Sequence, residues 1–326
     1  MSDPKEAQMS RTVVVALGGN ALTREEEQGR VEQIEANAAV MAAGIRELLD
    51  AGWRVLVVHG NGPQVGNLSI QQEEGVSLVP PQPLYSLTAM TQGQLGSIIT
   101  RAIDAVCGPG RAVAVVTHAL VHADDPAFSA PTKPIGPFFT AEQAEELSRT
   151  RGWSIHADSG RGHRRVVASP IPLHMMESAA ISTLLESDHV VLAAGGGGIP
   201  VVAKADGSFA GVDAVIDKDL AAARVGAAIK AQAMLLVTGV PAVSLDFGTP
   251  RQRTVNRMTA AEARNYLQAG QFPPGSMGPK VAAALDFVGT SARTAVITSA
   301  DRMVAALDPS NGIGTHIVCS SVMSPA

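Results

Sequence analysis

Lysines that interrupt a strong preference for arginine are the residues whose type points first to chemistry. The sequence has 25 basic residues, of which six are lysines: Lys5, Lys133, Lys204, Lys218, Lys230 and Lys280. Lys133, Lys218 and Lys280 stand among turn-forming or acidic residues. An ammonium group is a compact charge on a flexible stem, unlike a planar guanidinium. Such charges suit contact with a migrating anion, although a chance placement of solvated lysines would give the same pattern.

Glycine clusters are the second chemical signal, at residues 18–20, 60–62 and 195–198. Glycine lets backbone N–H groups approach a phosphate without a side chain in between, and helix N-termini favour the same anions. Each cluster alone is a weak signal, because glycine also closes tight turns. Combined with the three lysines, the clusters indicate phosphoryl transfer, which needs positioning and charge neutralisation. Asp219 could hold Lys218 and Lys280 in place.

The elements that must position these residues alternate in type along the chain. Short β-branched runs predict strands at 12–17, 54–59, 112–117, 189–194, 234–238 and 294–298. Apolar residues at helical spacing predict helices at 31–49 and 88–106. This alternation predicts an α/β fold, a parallel sheet with helices on both faces. Ligands bind beyond the carboxyl ends of such strands, so the glycine clusters are expected at one edge of the sheet.

Residues 118–168 interrupt the alternation. They contain few apolar runs and several basic residues, among them Arg161, Arg164 and Arg165. We interpret the segment as an insertion that stands off the sheet as a lid, with a long surface loop as the alternative. Capping-box sequences predict helices that begin after Thr140 and Thr259.

Composition excludes several classes of protein. The 326 residues are 46% hydrophobic and 17% charged, which excludes general disorder and suits one large domain or two smaller ones. A net charge of -5 argues against nucleic acid as the main partner. Two cysteines, Cys107 and Cys319, cannot form a disulfide framework. The eight histidines show no metal-ligand spacing, so no protein metal site is expected, and His59 and His118 are interpreted as structural.

The location of the protein is also constrained by the sequence. The first ten residues lack the apolar region of a secretory signal. The longest weakly polar run, 190–203, is broken by glycines and a proline and is too short to span a bilayer. We therefore expect a soluble, cytoplasmic protein without membrane contacts.

Several long segments together resemble carbamate kinases of the amino-acid kinase superfamily. The matching segments follow one another in the family's order, at residues 14–22, 59–66, 124–128, 131–137, 195–202, 211–222 and 275–281. The segment around Lys133 is typical of carbamate kinases within the superfamily. The resemblance extends from about residue 12 to 317.

This resemblance implies a three-layer αβα sandwich with a mainly parallel central sheet. Residues 10–188 would form an acceptor-binding lobe with a protruding subdomain at about 118–168, and residues 189–326 would hold the nucleotide. The implied reaction is ATP plus carbamate giving ADP plus carbamoyl phosphate, reversibly. Mg2+ would be carried mainly by the ATP phosphates, and the protein would be a homodimer.

The resemblance also implies roles for single residues. Lys218 and Lys280 would stabilise the bridging and transferred oxygens, with Asp219 as organiser, and Lys133 would replace a charge that related kinases carry at the position of Ala16. Phosphate and carbamate would contact Gly18, Gly19, Asn20, Gly60, Asn61, Gly62, Gly196 and Gly197. The nucleotide would contact Asp217, Thr238, Gly239, Ser244, Met277 and Gly278.

One segment departs from the family pattern. Where carbamate kinases usually read Thr-Asp-Val-Asp-Ala-Val-Tyr, this chain has Thr-Gly-Val-Pro-Ala-Val-Ser at 238–244. An acidic residue and an aromatic ring are therefore missing from the expected nucleoside pocket. Loss of ring stacking costs about 1 kcal/mol beyond plain burial. Weaker ATP binding or an altered choice of base is the resulting hypothesis.

Two other functions stay open. A kinase of this fold could act on another small carboxylate, although the compact 60–62 corner and the Lys133 segment argue against a bulky acceptor. A non-catalytic nucleotide or anion sensor is the second alternative, and the retained Lys133, Lys218, Asp219 and Lys280 argue against it. The pathway, which could be arginine, purine or allantoin breakdown, and the direction of the reaction in the cell stay open.

Overall fold

The computed structural model describes residues 11–18, 21–24, 26–158, 162–273, 275–289 and 293–319. These residues form the strands β1 (Arg11–Ala16), β2 (Trp53–Val58), β3 (Ala112–Ala114), β4 (His118–Leu120), β5 (Lys133–Phe139), β6 (Ile155–Ala157), β7 (His163–Val167), β8 (His174–Met175), β9 (Val190–Leu192), β10 (Ile199–Ala203), β11 (Phe209–Gly211), β12 (Ala233–Thr238), β13 (Val243–Leu245), β14 (Arg253–Val255), β15 (Arg257–Thr259), β16 (Thr294–Ser299) and β17 (Thr315–Val318). They also form the helices α1 (Val31–Asp50), α2 (Gly62–Glu74), α3 (Leu84–Cys107), α4 (Ala141–Arg151), α5 (Ser178–Glu186), α6 (Lys218–Ala228), α7 (Ala260–Gln268), α8 (Met277–Val288) and α9 (Met303–Ala306).

An eight-stranded sheet forms the centre of the molecule, in the order β15-β17-β16-β12-β1-β2-β9-β3. All neighbouring strands are parallel except β16 and β17, which are antiparallel. The carboxyl ends of β1, β2, β9 and β12 therefore lie along the same edge. Gly18 and the clusters at 60–62 and 195–198 follow three of these strands, so for these residues the expected placement at one edge is confirmed, while Gly19 and Asn20 lie outside the described residues.

Alternating side chains of the central strands enter two separate cores. In β1, Val14 and Ala16 pack in one apolar cluster with residues of α6 and α8, and Val13 and Val15 pack in the other with residues of α1 and α3. These four β1 residues are fully buried. Because both faces of the sheet are covered by helices, its strands carry continuous apolar runs. The predicted αβα sandwich is confirmed.

Two smaller sheets lie outside the central one. The sheet β11-β10-β4-β8 joins residues from both halves of the chain, and β4 pairs in parallel with β10. The strands β5, β7 and β6 form an antiparallel sheet that, with α4, we call the lid. Thus β4, although within residues 118–168, does not belong to the sheet of the lid.

The lid contacts the rest of the protein through helix α2, which the sequence patterns do not predict. A Cβ atom on Gly66 of α2 would lie 2.1 Å from the Cα and N atoms of Gly136 in β5. Gly136 itself has a φ angle of +72°, which favours glycine. Two glycines thus allow the backbone of the lid to touch the backbone of α2.

Several boundaries match the sequence expectations closely. The helix predicted at 31–49 is α1, and the capping boxes at Thr140 and Thr259 begin α4 and α7. The strand predicted at 112–117 ends at Ala114, although the backbone N–H of Val115 still donates to the backbone oxygen of Leu192 at 2.8 Å. Within the described residues, no helix combines the length and apolar character needed to cross a membrane.

Candidate active site

Two lysines converge on one buried carboxylate beside the carboxyl edge of the sheet. Nζ of Lys280 donates to Oδ2 of Asp219 at 3.0 Å, and Nζ of Lys218 lies 3.5 Å from Oδ1 of the same residue. Asp219 is only 3% exposed and Lys280 only 7%. Lys218 and Asp219 begin α6 and Lys280 lies in the first turn of α8, so the packing of these two helices sets the distances.

This arrangement shifts the pKa values of the two lysines in opposite directions. Burial, together with the nearby charge of Lys218, lowers the pKa of Lys280 despite the opposing effect of Asp219. Burial also disfavours the charge of Lys218, but the carboxylates of Asp219 and Asp217 outweigh it and raise the pKa of Lys218. Lys280 is therefore the lysine that loses its proton more readily as the pH rises.

Lys133 reaches this cluster from the lid. Its Nζ atom donates to Oδ2 of Asp217 at 2.5 Å. Oδ1 of Asp217 accepts hydrogen bonds from the backbone N–H groups of Asp219 at 2.9 Å and Leu220 at 3.4 Å, and so caps α6. Burial would raise the pKa of Asp217, but the ammonium groups of Lys133 and Lys218 outweigh it and hold that pKa far below its usual range. Asp217 thus connects the lid to the N-terminus of α6.

The charges of the cluster leave one positive charge in surplus. Lys133, Lys218 and Lys280 supply three ammonium groups, while Asp217 and Asp219 supply two carboxylates. Burying an uncompensated charge is costly. An anion that enters this space would complete the compensation, and the α6 N-terminus adds a further favourable field.

Gly60, Asn61 and Gly62, which we call the acceptor corner, lie between β2 and α2. Asn61 precedes α2 and Gly62 is its first residue. Within the described part of the chain, no hydrogen bond is donated by the backbone N–H groups of these three residues. The side chain of Asn61 donates to Oγ1 of Thr91 at 2.9 Å. The corner therefore presents unused donors at a helix N-terminus, which suits a small anion.

The glycine turn Gly195–Gly197 connects the acceptor corner with the lysine cluster. A Cβ on Gly196 would lie 2.2 Å from Nδ2 of Asn61, and one on Gly197 would lie 2.4 Å from the backbone oxygen of Ile216, the residue before Asp217. Gly196 and Gly197 have φ angles of +65° and +91°, so both geometry and space require glycine. This turn therefore lies against Asn61 of the acceptor corner on one side and against Ile216, next to Asp217, on the other.

The other predicted residues are distributed around this centre. A Cβ on Gly18 would lie 2.7 Å from the backbone oxygen of Val237, so the end of β1 touches the end of β12, where Thr238 lies. Gly19 and Asn20 lie outside the described residues. Met277 and Gly278 begin α8, which carries Lys280.

Two more of the predicted nucleotide contacts lie after β12 in the chain. Gly239 follows β12 in a turn, and Ser244 lies in β13 opposite Thr254 of β14. Among the described residues, no hydrogen bond connects Ser244 with the lysine cluster.

Two supporting residues contact the glycine turn: Gln92, which gains a role only from the structure, and His59, interpreted above as structural. Gln92 of α3 donates to the backbone oxygens of Gly195 at 3.0 Å and Thr117 at 3.1 Å, and so holds the glycine turn in place. The ring of His59 is buried, with Nδ1 3.0 Å from the backbone oxygen of Gly60, and burial lowers its pKa. The partners of Gln92 are distant in sequence, so no spacing pattern reveals them.

Comparisons with known proteins agree with this architecture. Residues 11–299 match the model of the amino acid kinase family. The chain is 39% identical to the carbamate kinase of Pyrococcus furiosus, over 93% of this chain and 98% of that protein. It is 42% identical to the carbamate kinase-like protein YahI of Escherichia coli, over 95% of this chain and 99% of that protein.

Solved structures of the Giardia lamblia carbamate kinase are similar to the whole molecule. The form bound to citric acid has a TM-score of 0.90, with 35% identity over 96% of this chain and 99% of that chain. The form bound to AMP-PNP has a TM-score of 0.86 at the same identity and coverage. The chain therefore belongs to the amino acid kinase family and, within it, to the carbamate kinases.

Proposed function

We propose that this protein transfers a phosphoryl group reversibly between ATP and carbamate, giving ADP and carbamoyl phosphate. The observation that carries the proposal is the convergence of Lys218 and Lys280 on the buried Asp219, with distances of 3.5 and 3.0 Å. Family membership supports the same reaction, since the Pyrococcus furiosus relative is a carbamate kinase.

The proposed mechanism places the two substrates on either side of the lysine cluster. Carbamate binds at the acceptor corner, where the N–H groups of Gly60, Asn61 and Gly62 orient its oxygens. An oxygen of carbamate attacks the terminal phosphorus of ATP, and the bond from that phosphorus to ADP breaks. The migrating group is highly anionic, so positioned cations lower the barrier by stabilising charge that spreads over its oxygens.

The lysines divide this task by position. Lys280 and Lys218 stabilise the transferred and bridging oxygens, because Asp219 holds both ammonium groups at a common point. Asp219 organises these cations. Lys133 brings a third charge from the lid and, through Asp217, joins the lid to α6.

The nucleotide is proposed to lie along the C-terminal lobe, 189–326. Asp217, Thr238, Gly239, Ser244, Met277 and Gly278 would contact it, and Gly18, Gly19, Asn20, Gly196 and Gly197 would contact its phosphates. Both carboxylates of the cluster are already paired with lysines. Mg2+ would therefore be held mainly by the ATP phosphates, where it supplies further positive charge. The AMP-PNP complex of the Giardia lamblia enzyme supports nucleotide binding.

Luminescent detection of ATP formed from ADP and carbamoyl phosphate tests the function directly. We expect ATP formation that depends on both substrates and on the protein. A panel in which acetyl phosphate and N-acylated amino-acid phosphates replace carbamoyl phosphate tests the alternative acceptor. A clear preference for another phosphoryl donor would indicate that the acid of that donor, and not carbamate, is the acceptor. Absence of ATP with every donor would favour the sensor alternative.

We also propose that the protein is a homodimer. Among the residues that the structure describes, β3 forms one end of the central sheet and has a strand neighbour on one side only. Val116, shortly after β3, is 53% exposed. An open sheet edge beside an exposed apolar residue favours contact with a second copy. Light scattering should give about twice the chain mass of 33.6 kDa, and a mass of one chain would exclude the dimer.

A further inference from the structure

We infer that Arg164 of the lid binds the oxygens of the acceptor, so that the lid delivers one cation to each side of the site. This inference rests on the proposed function, in which carbamate occupies the acceptor corner. Lys133 is directed to Asp217 at the start of α6. Arg164, on the neighbouring strand β7, is directed instead to the start of α2.

The position of Arg164 follows from its distance to the acceptor corner. Its Nη2 atom lies 4.0 Å from the point that a Cβ atom on Gly62 would occupy. The backbone oxygen of Pro134 lies 3.8 Å from the same point. Gly62 begins α2, so the guanidinium lies over the turn whose N–H groups donate no hydrogen bond within the described part of the chain.

Contacts with residues of the lid, among them the following, hold the Arg164 side chain. Nε donates to the backbone oxygen of Gly136 at 3.1 Å, and Nη1 lies 3.4 Å from Oδ2 of Asp158. The guanidinium carbon lies 5.2 Å from the ring centre of Phe138. The side chain is only 13% exposed. An arginine held in this way loses little further freedom when a ligand binds, which favours affinity.

The chemistry of the guanidinium fits the acceptor. A guanidinium presents several N–H donors in a rigid plane that matches the two oxygens of a carboxylate. Carbamate has such a pair, one oxygen of which becomes the bridge to phosphorus while the other remains a carbonyl oxygen. Donation from Nη2, together with the N–H groups of the acceptor corner, would hold the second oxygen and direct the first towards the phosphoryl group.

The adjacent arginine performs a different task. Nη1 of Arg165 donates to Oγ of Ser69 at 2.7 Å and lies 3.3 Å from Oε1 of Glu73, both on α2. Its guanidinium carbon also lies 4.5 Å from the ring centre of Trp153. Arg165 therefore attaches the lid to α2, and Arg164 is the one of the two that lies over the acceptor corner.

The kinetics of Arg164→Gln, measured as ATP formation from ADP and carbamoyl phosphate, test this inference. We expect kcat/KM for carbamoyl phosphate to fall at least tenfold, while KM for ADP stays within twofold of wild type. Arg164→Lys should recover part of the loss because it restores the positive charge. Arg149→Gln, which changes an exposed arginine of α4 in the same lid, should behave as wild type.

Specific results would overturn the inference. Unchanged kinetics for carbamoyl phosphate in Arg164→Gln would do so, and so would an equal rise of both KM values, which a displaced lid would give. Thermal melting of each variant checks that the fold is retained, and Arg164→Lys serves in place of Arg164→Gln if that variant does not fold. If the wild-type protein forms no ATP, the proposed function itself fails, independently of Arg164.

Discussion

Asp219 controls the charge of the site at the scale of single residues. Its two carboxylate oxygens face two ammonium groups, and it is almost fully buried. Removing one partner of a buried ion pair usually leaves an uncompensated charge. Here the second lysine remains, so the loss of one lysine leaves one ammonium group opposite one carboxylate. A lysine variant should therefore lose rate more than it loses stability.

The pH dependence of kcat tests this control of charge. Because the pKa of Lys280 lies below the ordinary lysine value of 10.5, its charge is present at lower pH and is lost as the pH rises through that lowered pKa. We expect kcat to decrease on an alkaline limb below pH 10.5. Asp219→Asn removes an attraction that raises the pKa of Lys280, and should move the limb further down. The Asp206→Asn variant, changed at an exposed position, is the control and should keep the wild-type limb. An identical alkaline limb in wild type, Asp219→Asn and Asp206→Asn would contradict the assignment of that limb to Lys280.

At the scale of elements, the contact between α2 and the lid determines where the lid cations lie. The contact is between backbones, since a Cβ atom on Gly66 would lie 2.1 Å from backbone atoms of Gly136. It lies one helical turn beyond Gly62, the start of α2 at the acceptor corner. A shift of β5 against α2 would therefore move Lys133 and Arg164 away from the substrates together.

Gly66→Ala tests the importance of this contact. The new methyl group would lie 2.1 Å from backbone atoms of Gly136, which cannot rotate away. Overpacking of this kind costs about 1–3 kcal/mol, and we expect the lid to move instead. The kcat value should fall about tenfold or more and KM for carbamoyl phosphate should rise. Asn67→Ala, at an exposed position of the same helix, should leave both unchanged; wild-type kinetics in Gly66→Ala would show that the contact is unimportant.

At the scale of the whole molecule, the catalytic centre depends on contacts between distant parts of the chain. The turn Gly195–Gly197 touches Asn61 on one side and Ile216 on the other. The salt bridge between Lys133 and Asp217 joins residues that are 84 positions apart. The proposed site is thus assembled from residues of both halves of the chain.

The nucleotide side of this arrangement carries a separate prediction. The 239–244 segment lacks the acid and the aromatic ring of the family pattern, and Val240 there is 40% exposed. We expect a raised KM for ATP, a reduced preference for ATP over GTP, or both, because stacking on the base is lost. Michaelis constants for the two nucleotides at saturating carbamate check this. Tight binding that selects adenine would contradict it.

Much of this molecule could be predicted from local sequence. Runs of β-branched residues predict the buried strands, and the glycine clusters indicate the edge of the sheet at which ligands would bind. The retained lysines suggest that Asp219 could hold Lys218 and Lys280, and the family resemblance implies the same arrangement, although the two lysines lie 62 positions apart and no spacing rule connects them. Helix α2 escapes prediction because it starts with Gly62 and Pro63, residues that also form turns. The placement of Arg164 depends on strand pairing within the lid, which local patterns do not encode.

The turnover of Lys218→Ala and Lys280→Ala in ATP formation from ADP and carbamoyl phosphate tests the central claim most directly. We predict that each variant melts as a folded protein and has a kcat lowered about 100-fold or more, since each loses a cation that stabilises the transition state. Turnover at the wild-type level in either folded variant would contradict the claim that these two ammonium groups act together on the migrating phosphoryl group.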